Sequence, residues 1–202
     1  IARAGYKNWG RCDLTFVTLD EGTSVAGVFT KNVCCSSEVE LGRDQVTLGR
    51  ARALGEQGAA NSQNADAAMI ASLPPLVASY RPDTQLPHEQ AISEYRELIA
   101  LQKETVDGFL AETIPSISEA KAVLTAAEKE GVRLVLSVTV SDEDGRQLRS
   151  GESLADALVA IEQFDPLAVL INCSKPEVIA EALPILGYSR FPFGAFANGF
   201  TS

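Results

Sequence analysis

From about residue 67 onward the chain switches repeatedly between two hydrophobic rhythms. Residues 69–73 form a short apolar run that stops at Pro74-Pro75, and residues 109–111, 132–140, 167–171 and 191–197 are further apolar or β-branched runs of strand length. Between them the apolar residues recur at helical spacing. Ile92, Tyr95 and Ile99 share one face of residues 88–102. Ala120, Val123, Leu124 and Ala127 do so after Ser116, and Leu154, Ala157, Leu158 and Ile161 after Ser153. The boundary signals agree. Ser116 with Glu119 three residues on is a capping box, Gly131 stands at a C-cap position, and Pro176 suits the first turn of a helix ending near Gly187. Parallel strands need helical crossovers of this kind, so the region is predicted to be α/β with a parallel sheet. A (β/α)8 barrel and an open doubly wound sheet both satisfy the pattern. A full barrel takes about 250 residues, so a barrel here would be partial.

The first part of the chain reads differently. Residues 13–19 alternate apolar and polar, Glu21-Gly22 marks a turn, and residues 25–30 are a second strand, which together predict a β-hairpin. Residues 48–54 are weakly helical and Asn61-Ser-Gln-Asn64 reads as a loop. The predicted organisation is an N-terminal β segment over residues 1–43, a helix and loop junction over 44–66, and the α/β region over 67–202.

Composition narrows the function. Hydrophobic residues make up 46% of the 202, enough to fill a core. A formal net charge of -10 is repelled by phosphate backbones, which argues against a nucleic-acid partner. No apolar run is long enough for a membrane span, and the first residues lack the apolar stretch of a secretory signal. The sequence opens on Ile1 rather than Met, as a processed chain or a fragment would. Four Cys without framework spacing fit a reducing compartment, so a cytoplasmic location is expected. No strand is followed by G-x-G-x-x-G or G-x-x-x-x-G-K-[ST], which removes the most direct nucleotide-binding reading.

In α/β folds, chemistry gathers where the parallel strands end. Those ends carry Ser72, Glu112-Thr113, Thr139, Asn172-Cys173 and Asn198-Gly199. A carboxylate, a thiol and amides are thus predicted to converge on one face, suited to an amino acid and a metal. Taken alone, Cys173 reads as a small buried hydrophobe, and Glu112 reads equally as a site carboxylate or as a solvated loop carboxylate or helix-dipole partner. Asp142-Glu-Asp-Gly145 lacks the rest of a calcium loop and reads as a turn. His88, the only His, falls at a predicted helix start and reads as a surface residue.

Together, Ala71-Ser-Leu-Pro-Pro-Leu-Val-Ala-Ser-Tyr-Arg-Pro82, Ala111-Glu-Thr113, Asp142-Glu-Asp-Gly145, Leu148-Arg-Ser-Gly151, Ile171-Asn-Cys173 and Phe193-Gly-Ala-Phe-Ala-Asn-Gly199 resemble the homocysteine S-methyltransferases in order and spacing. The resemblance covers about residues 45–202. It implies a (β/α)8 barrel, of which strands three to seven are matched, and methyl transfer from a sulfonium donor to homocysteine, giving methionine. It also implies zinc held by three Cys thiolates, with homocysteine sulfur in the open fourth position. Cys173 matches the first zinc ligand, and Glu112 the carboxylate that meets the homocysteine amino group. Asn172 and Asn198 match pocket positions for substrate. The block supplying the other two thiolates has no match, so only a partial zinc site is expected and no residue is assigned a catalytic role. Cys34-Cys35 is a second, weaker source of thiolates.

The opening residues resemble another family. Arg3-Ala-Gly-Tyr-Lys7, Arg11-Cys-Asp-Leu14 and Ser24-Val-Ala-Gly-Val-Phe-Thr-Lys-Asn32 are similar to the start of the ornithine acetyltransferase (glutamate N-acetyltransferase) family, over residues 1–43. The cleavage block that gives that family its nucleophile is absent. Three readings follow: a methyltransferase-type barrel, a fragment of an arginine-biosynthesis acetyltransferase, and a non-catalytic half-barrel that associates with another chain, including a second copy, through exposed strand edges.

Overall fold

The computed structural model describes residues 13–18, 24–29, 68–77, 82–104 and 106–197. Its described elements are β1 (Asp13–Thr18), β2 (Ser24–Phe29), β3 (Ala68–Leu73), a 3-10 turn (Pro82–Thr84), α1 (His88–Gln102), β4 (Gly108–Ile114), α2 (Ile117–Glu130), β5 (Leu134–Val138), α3 (Leu154–Ala160), β6 (Ala168–Asn172), α4 (Pro176–Gly187) and β7 (Phe193–Phe196). All seven strands form one sheet in the order β1-β2-β3-β4-β5-β6-β7. β1 and β2 pair antiparallel, as the predicted hairpin requires, and every pair from β2/β3 to β6/β7 is parallel. Strand order follows chain order without reversal. A doubly wound sheet would reverse direction at a switch point, so the winding is that of consecutive barrel strands.

Side-chain alternation divides the parallel strands into two faces. One face carries Ala71 and Leu73, Phe109 and Ala111, Leu134, Leu136 and Val138, and Val169 and Ile171. It packs in a single core with the buried stripes of all four helices, including Tyr95, Ile99, Val123, Leu158 and Leu186. The other face has a small apolar cluster of Leu110, Val135, Ala168 and Leu170, flanked by Ile70 and Phe196. Among the described residues, no helix residue belongs to that cluster. Helices covering one face and mainly strand side chains filling the other is the layering of a barrel arc.

The predicted caps hold with one correction. The Ser116 hydroxyl accepts from Glu119 N at 3.2 Å, and Gly131 sits at φ 70 as the C-cap of α2. Ser153 caps α3 in the same way through Asp156 N. The reciprocal half of the expected capping box is missing. Glu119 Oε1 accepts instead from Leu76 N at 2.9 Å and from the Tyr95 hydroxyl at 2.8 Å. The carboxylate is buried, and it serves donors outside its own helix, from the segment after β3 and from α1. The 44–66 junction, Asn198 and Cys34-Cys35 lie outside the described residues.

Asp142-Glu-Asp-Gly145 is a turn, as expected, and Gly145 is needed there for space. A Cβ at Gly145 would stand 1.9 Å from the Val178 carbonyl oxygen of α4. Gly145 N also donates to Glu181 Oε2 at 3.2 Å. Backbone cannot yield as a flexible side chain can, so Gly145→Ala is expected to cost about 2 kcal/mol or more in urea unfolding. Gly151→Ala, at φ 85 with open space around it, is expected to cost only the smaller conformational penalty.

Candidate functional site

The polar residues of the inner face lie two positions beyond its apolar ones. Ser72 follows Ile70, Glu112 follows Leu110, Ser137 follows Val135 and Asn172 follows Leu170. The strand period of two therefore stacks a polar layer above the apolar cluster, at the C-terminal ends of β3 to β6. The Ser72 hydroxyl donates to Glu112 Oε1 across the β3/β4 pair.

Glu112 and Thr113 were expected just past a strand end; they lie inside β4, at a bulge. Ala111 pairs with Leu136 and Ile114 with Val138, so two residues of β4 face the single residue Ser137 of β5. Thr113 takes φ 59, in the left-handed region that a β-branched residue rarely enters. Cys173, directly after β6, takes φ 50. Such conformations persist where surrounding structure holds them.

Asn172 does the holding. It is fully buried. Its Oδ1 accepts from Thr113 N at 2.9 Å and from the Ser137 hydroxyl at 2.7 Å. Its Nδ2 donates to Thr113 Oγ1 at 2.8 Å and lies 3.5 Å from Cys173 Sγ, while Thr113 Oγ1 donates to the same sulfur at 3.4 Å. The amide thus reaches from β6 across β5 to the bulge of β4, and the sulfur accepts from both of its neighbours. Sequence reasoning brought Glu112, Asn172 and Cys173 together, and the structure places all three in this mouth. It placed Ser72 and Thr113 at strand ends without their roles, as the carboxylate's partner and as the bulge residue, and it missed Ser137. The period-two register from Leu110 and Val135 was the available signal for Ser137; the bulge at Thr113 had none.

Burial raises the Glu112 carboxyl to about 7, against the opposing hydrogen bond from Ser72. Burial also raises Glu119, opposed by its bonds from Leu76 N and Tyr95. No cluster of three or more His, Cys, Asp or Glu that would hold a metal occurs among the described residues. Cys173 is the sole thiol there and Glu112 is engaged by Ser72, so the donor set does not fit the zinc that the resemblance implies.

The model of the homocysteine S-methyltransferase family matches residues 30–202. The chain belongs to the homocysteine S-methyltransferase family. Homocysteine S-methyltransferase 1 of Zea mays is 35% identical over 85 residues, which are 42% of this chain and 26% of that protein. The metallated form of the homocysteine methyltransferase MmuM from Escherichia coli superposes with a TM-score of 0.67 at 21% identity, over 77% of this chain and 59% of that one. Its apo form gives 0.58 at 18% identity. At these identities the two structures bear on the fold alone. A separate similarity links a third of the chain to the arginine biosynthesis bifunctional protein ArgJ of Mesorhizobium japonicum, 46% identical over 66 residues but spanning 15% of that protein. The chain therefore spans about a quarter or less of the curated relatives it matches.

Two outcomes are expected from this geometry. Asn172→Ala leaves the buried Thr113 N–H without its acceptor and should destabilise the fold by about 2–4 kcal/mol in denaturant titration. Glu112 has its folded pKa above the unfolded value of 4.5, so the folded state holds the extra proton between those limits. Its stabilising contribution is full below about 4.5 and is lost as pH rises through about 7, with a ceiling of about 3 kcal/mol. Glu112→Gln should flatten the fall in stability between those pH values, and Glu119 supplies the remaining slope of the same sign.

Proposed function

We propose that the strand-end mouth is the homocysteine-binding part of a methyl-transfer site. The observation that carries this reading is that Thr113, the chain neighbour of Glu112, is hydrogen-bonded to both Asn172 and Cys173, in a chain of this family. Ionised Glu112 faces the substrate ammonium. Asn172 has its amide committed to protein partners, so its role is to position Thr113 and Cys173 rather than to touch substrate. Asn198 is a further substrate contact in this reading. In the reaction, homocysteine sulfur attacks the methyl of a sulfonium donor; the new S–CH3 bond forms as the donor's S–CH3 bond breaks, giving methionine and a neutral sulfide. The family's zinc, when bound, favours the thiolate form of homocysteine. Among the described residues, Cys173 alone could be a thiolate ligand to it.

In this reading residues 67–202 are the barrel part, 44–66 the junction and 1–43 a β segment that extends the sheet, and the reaction belongs in the cytoplasm. A second reading rests on the similarity to ArgJ over a third of the chain. It makes residues 1–43 the remnant of an acetyltransferase, and acetyl exchange between ornithine and glutamate tests it directly. The third reading, association through the open sheet edges, is tested by sedimentation of the full chain.

Titration calorimetry with L-homocysteine checks the leading proposal. Saturable binding is expected, stronger above pH 7 than below as Glu112 ionises, and weakened by about tenfold or more in Glu112→Gln, the loss of one charged hydrogen bond. Absence of binding by the parent chain, or equal affinity in Glu112→Gln, would refute it.

A further inference from the structure

Cys173 sits outside the sheet ladder, because β6 pairs with β7 only as far as Asn172 opposite Phe196. Its backbone is left-handed, at φ 50, and among the described residues it has no place in the strand register. A carbonyl in such a place needs another donor. Arg149 supplies the shorter of two such bonds, from the loop between β5 and α3, with Nη2 donating to Cys173 O at 2.8 Å; the Thr139 hydroxyl donates to the same oxygen at 3.4 Å.

The same guanidinium is fixed from two other sides. Its Nη2 also donates to Asp142 Oδ2 at 3.1 Å, and its Nε to Thr139 Oγ1 at 3.0 Å. Each of those partners grips the segment after β6 in turn. Asp142 Oδ1 accepts from Lys175 N at 3.2 Å, at the start of α4. Thr139 Oγ1 lies 3.1 Å from Ser174 Oγ, which also accepts from Val140 N at 3.0 Å. Residues 173, 174 and 175 are therefore each held by the loop that Arg149 organises. The Arg149 side chain is only 11% exposed, so these bonds work in a shielded setting. A planar fork can meet three acceptors at fixed angles; the point charge of a lysine cannot.

We propose that Arg149 is a positioning residue of the site: by holding the Cys173 carbonyl, it keeps that residue left-handed and its sulfur directed at Thr113 and Asn172. The consequence for substrate rests on the homocysteine reading above; the geometry of the thiol does not. Arg149 holds Cys173 by its carbonyl, while Asn172 and Thr113 meet its sulfur.

The test uses the full chain with Arg149→Met and Arg149→Lys. Two quantities are read: the 13Cα and 13Cβ chemical shifts of Cys173, which distinguish left-handed from extended backbone, and the rate of Cys173 alkylation by iodoacetamide, resolved by peptide mass spectrometry. In Arg149→Met the shifts should move toward extended values and alkylation should quicken by about fivefold, the effect of losing one hydrogen bond of ordinary net strength. Arg149→Lys, which keeps a single donor, should fall between Met and the parent. A role in general stability alone would lower the melting temperature and leave both readouts in place. Unchanged shifts with alkylation within about twofold of the parent, in a folded variant, would overturn the proposal. Failure of both variants to fold would assign Arg149 to the fold and overturn it equally. If the parent binds no homocysteine, the proposed function fails while the Cys173 readouts still decide the role of Arg149.

Discussion

The site depends on one side-chain amide crossing a strand. Asn172 leaves β6, passes over Ser137 of β5 and meets both the backbone and the hydroxyl of Thr113 on β4. Without it, the bulge in β4 would present a buried N–H with no acceptor, and Thr113 would have no reason to stay at positive φ. The bulge sits beside Glu112, so the aim of that carboxylate and the place of the thiol are settled together. A buried polar network of this kind is stable only when every member is satisfied. The four bonded or near contacts of one amide meet that condition, and the apolar cluster beneath keeps water from competing for them.

The mouth joins a mobile-proton carboxyl to a fixed scaffold. Glu112 is raised to about 7 because it lies over apolar strand residues and has one hydroxyl rather than a cation for a partner. A carboxyl in that state can hold its proton when the mouth is empty and release it when a cationic ligand arrives. Glu119, below the same strand ends, has a different task. It joins Leu76 of the segment after β3 to Tyr95 of α1, and its second oxygen stays buried without a partner. It is a structural carboxylate whose cost is borne by the two donors it satisfies.

Much of the fold was legible in sequence because the helices announce both ends. Ser116, Gly131, Ser153 and Pro176 are each local signals with a local mechanism, and they fall where the structure has its caps. The strands were legible as short apolar runs, with ends within three residues of those observed. What sequence could not carry was anything set by contact across the sheet. Glu119 matched a capping box, yet tertiary donors outcompeted its own helix. The bulge at Thr113 leaves no trace in composition, since its left-handed residue is a threonine rather than a glycine. Glu112, Asn172 and Cys173 were found because strand ends and a family resemblance converge on them. The residues that orient them lie in other elements, and no spacing rule links Arg149 to Cys173.

The antiparallel β1 gives the sheet a direction. From β2 to β7 each new strand has been laid beside the last with the same sense, while β1 runs against them and ends the parallel run on that side. Among the described strands, a further parallel strand that continued the winding has one place to join, the free side of β7. Phe193 there is half exposed although it faces the helix layer. Among the described strands the mouth is therefore flanked on the β3 side by β2 and β1, while β7 is the last strand of the order on the other side.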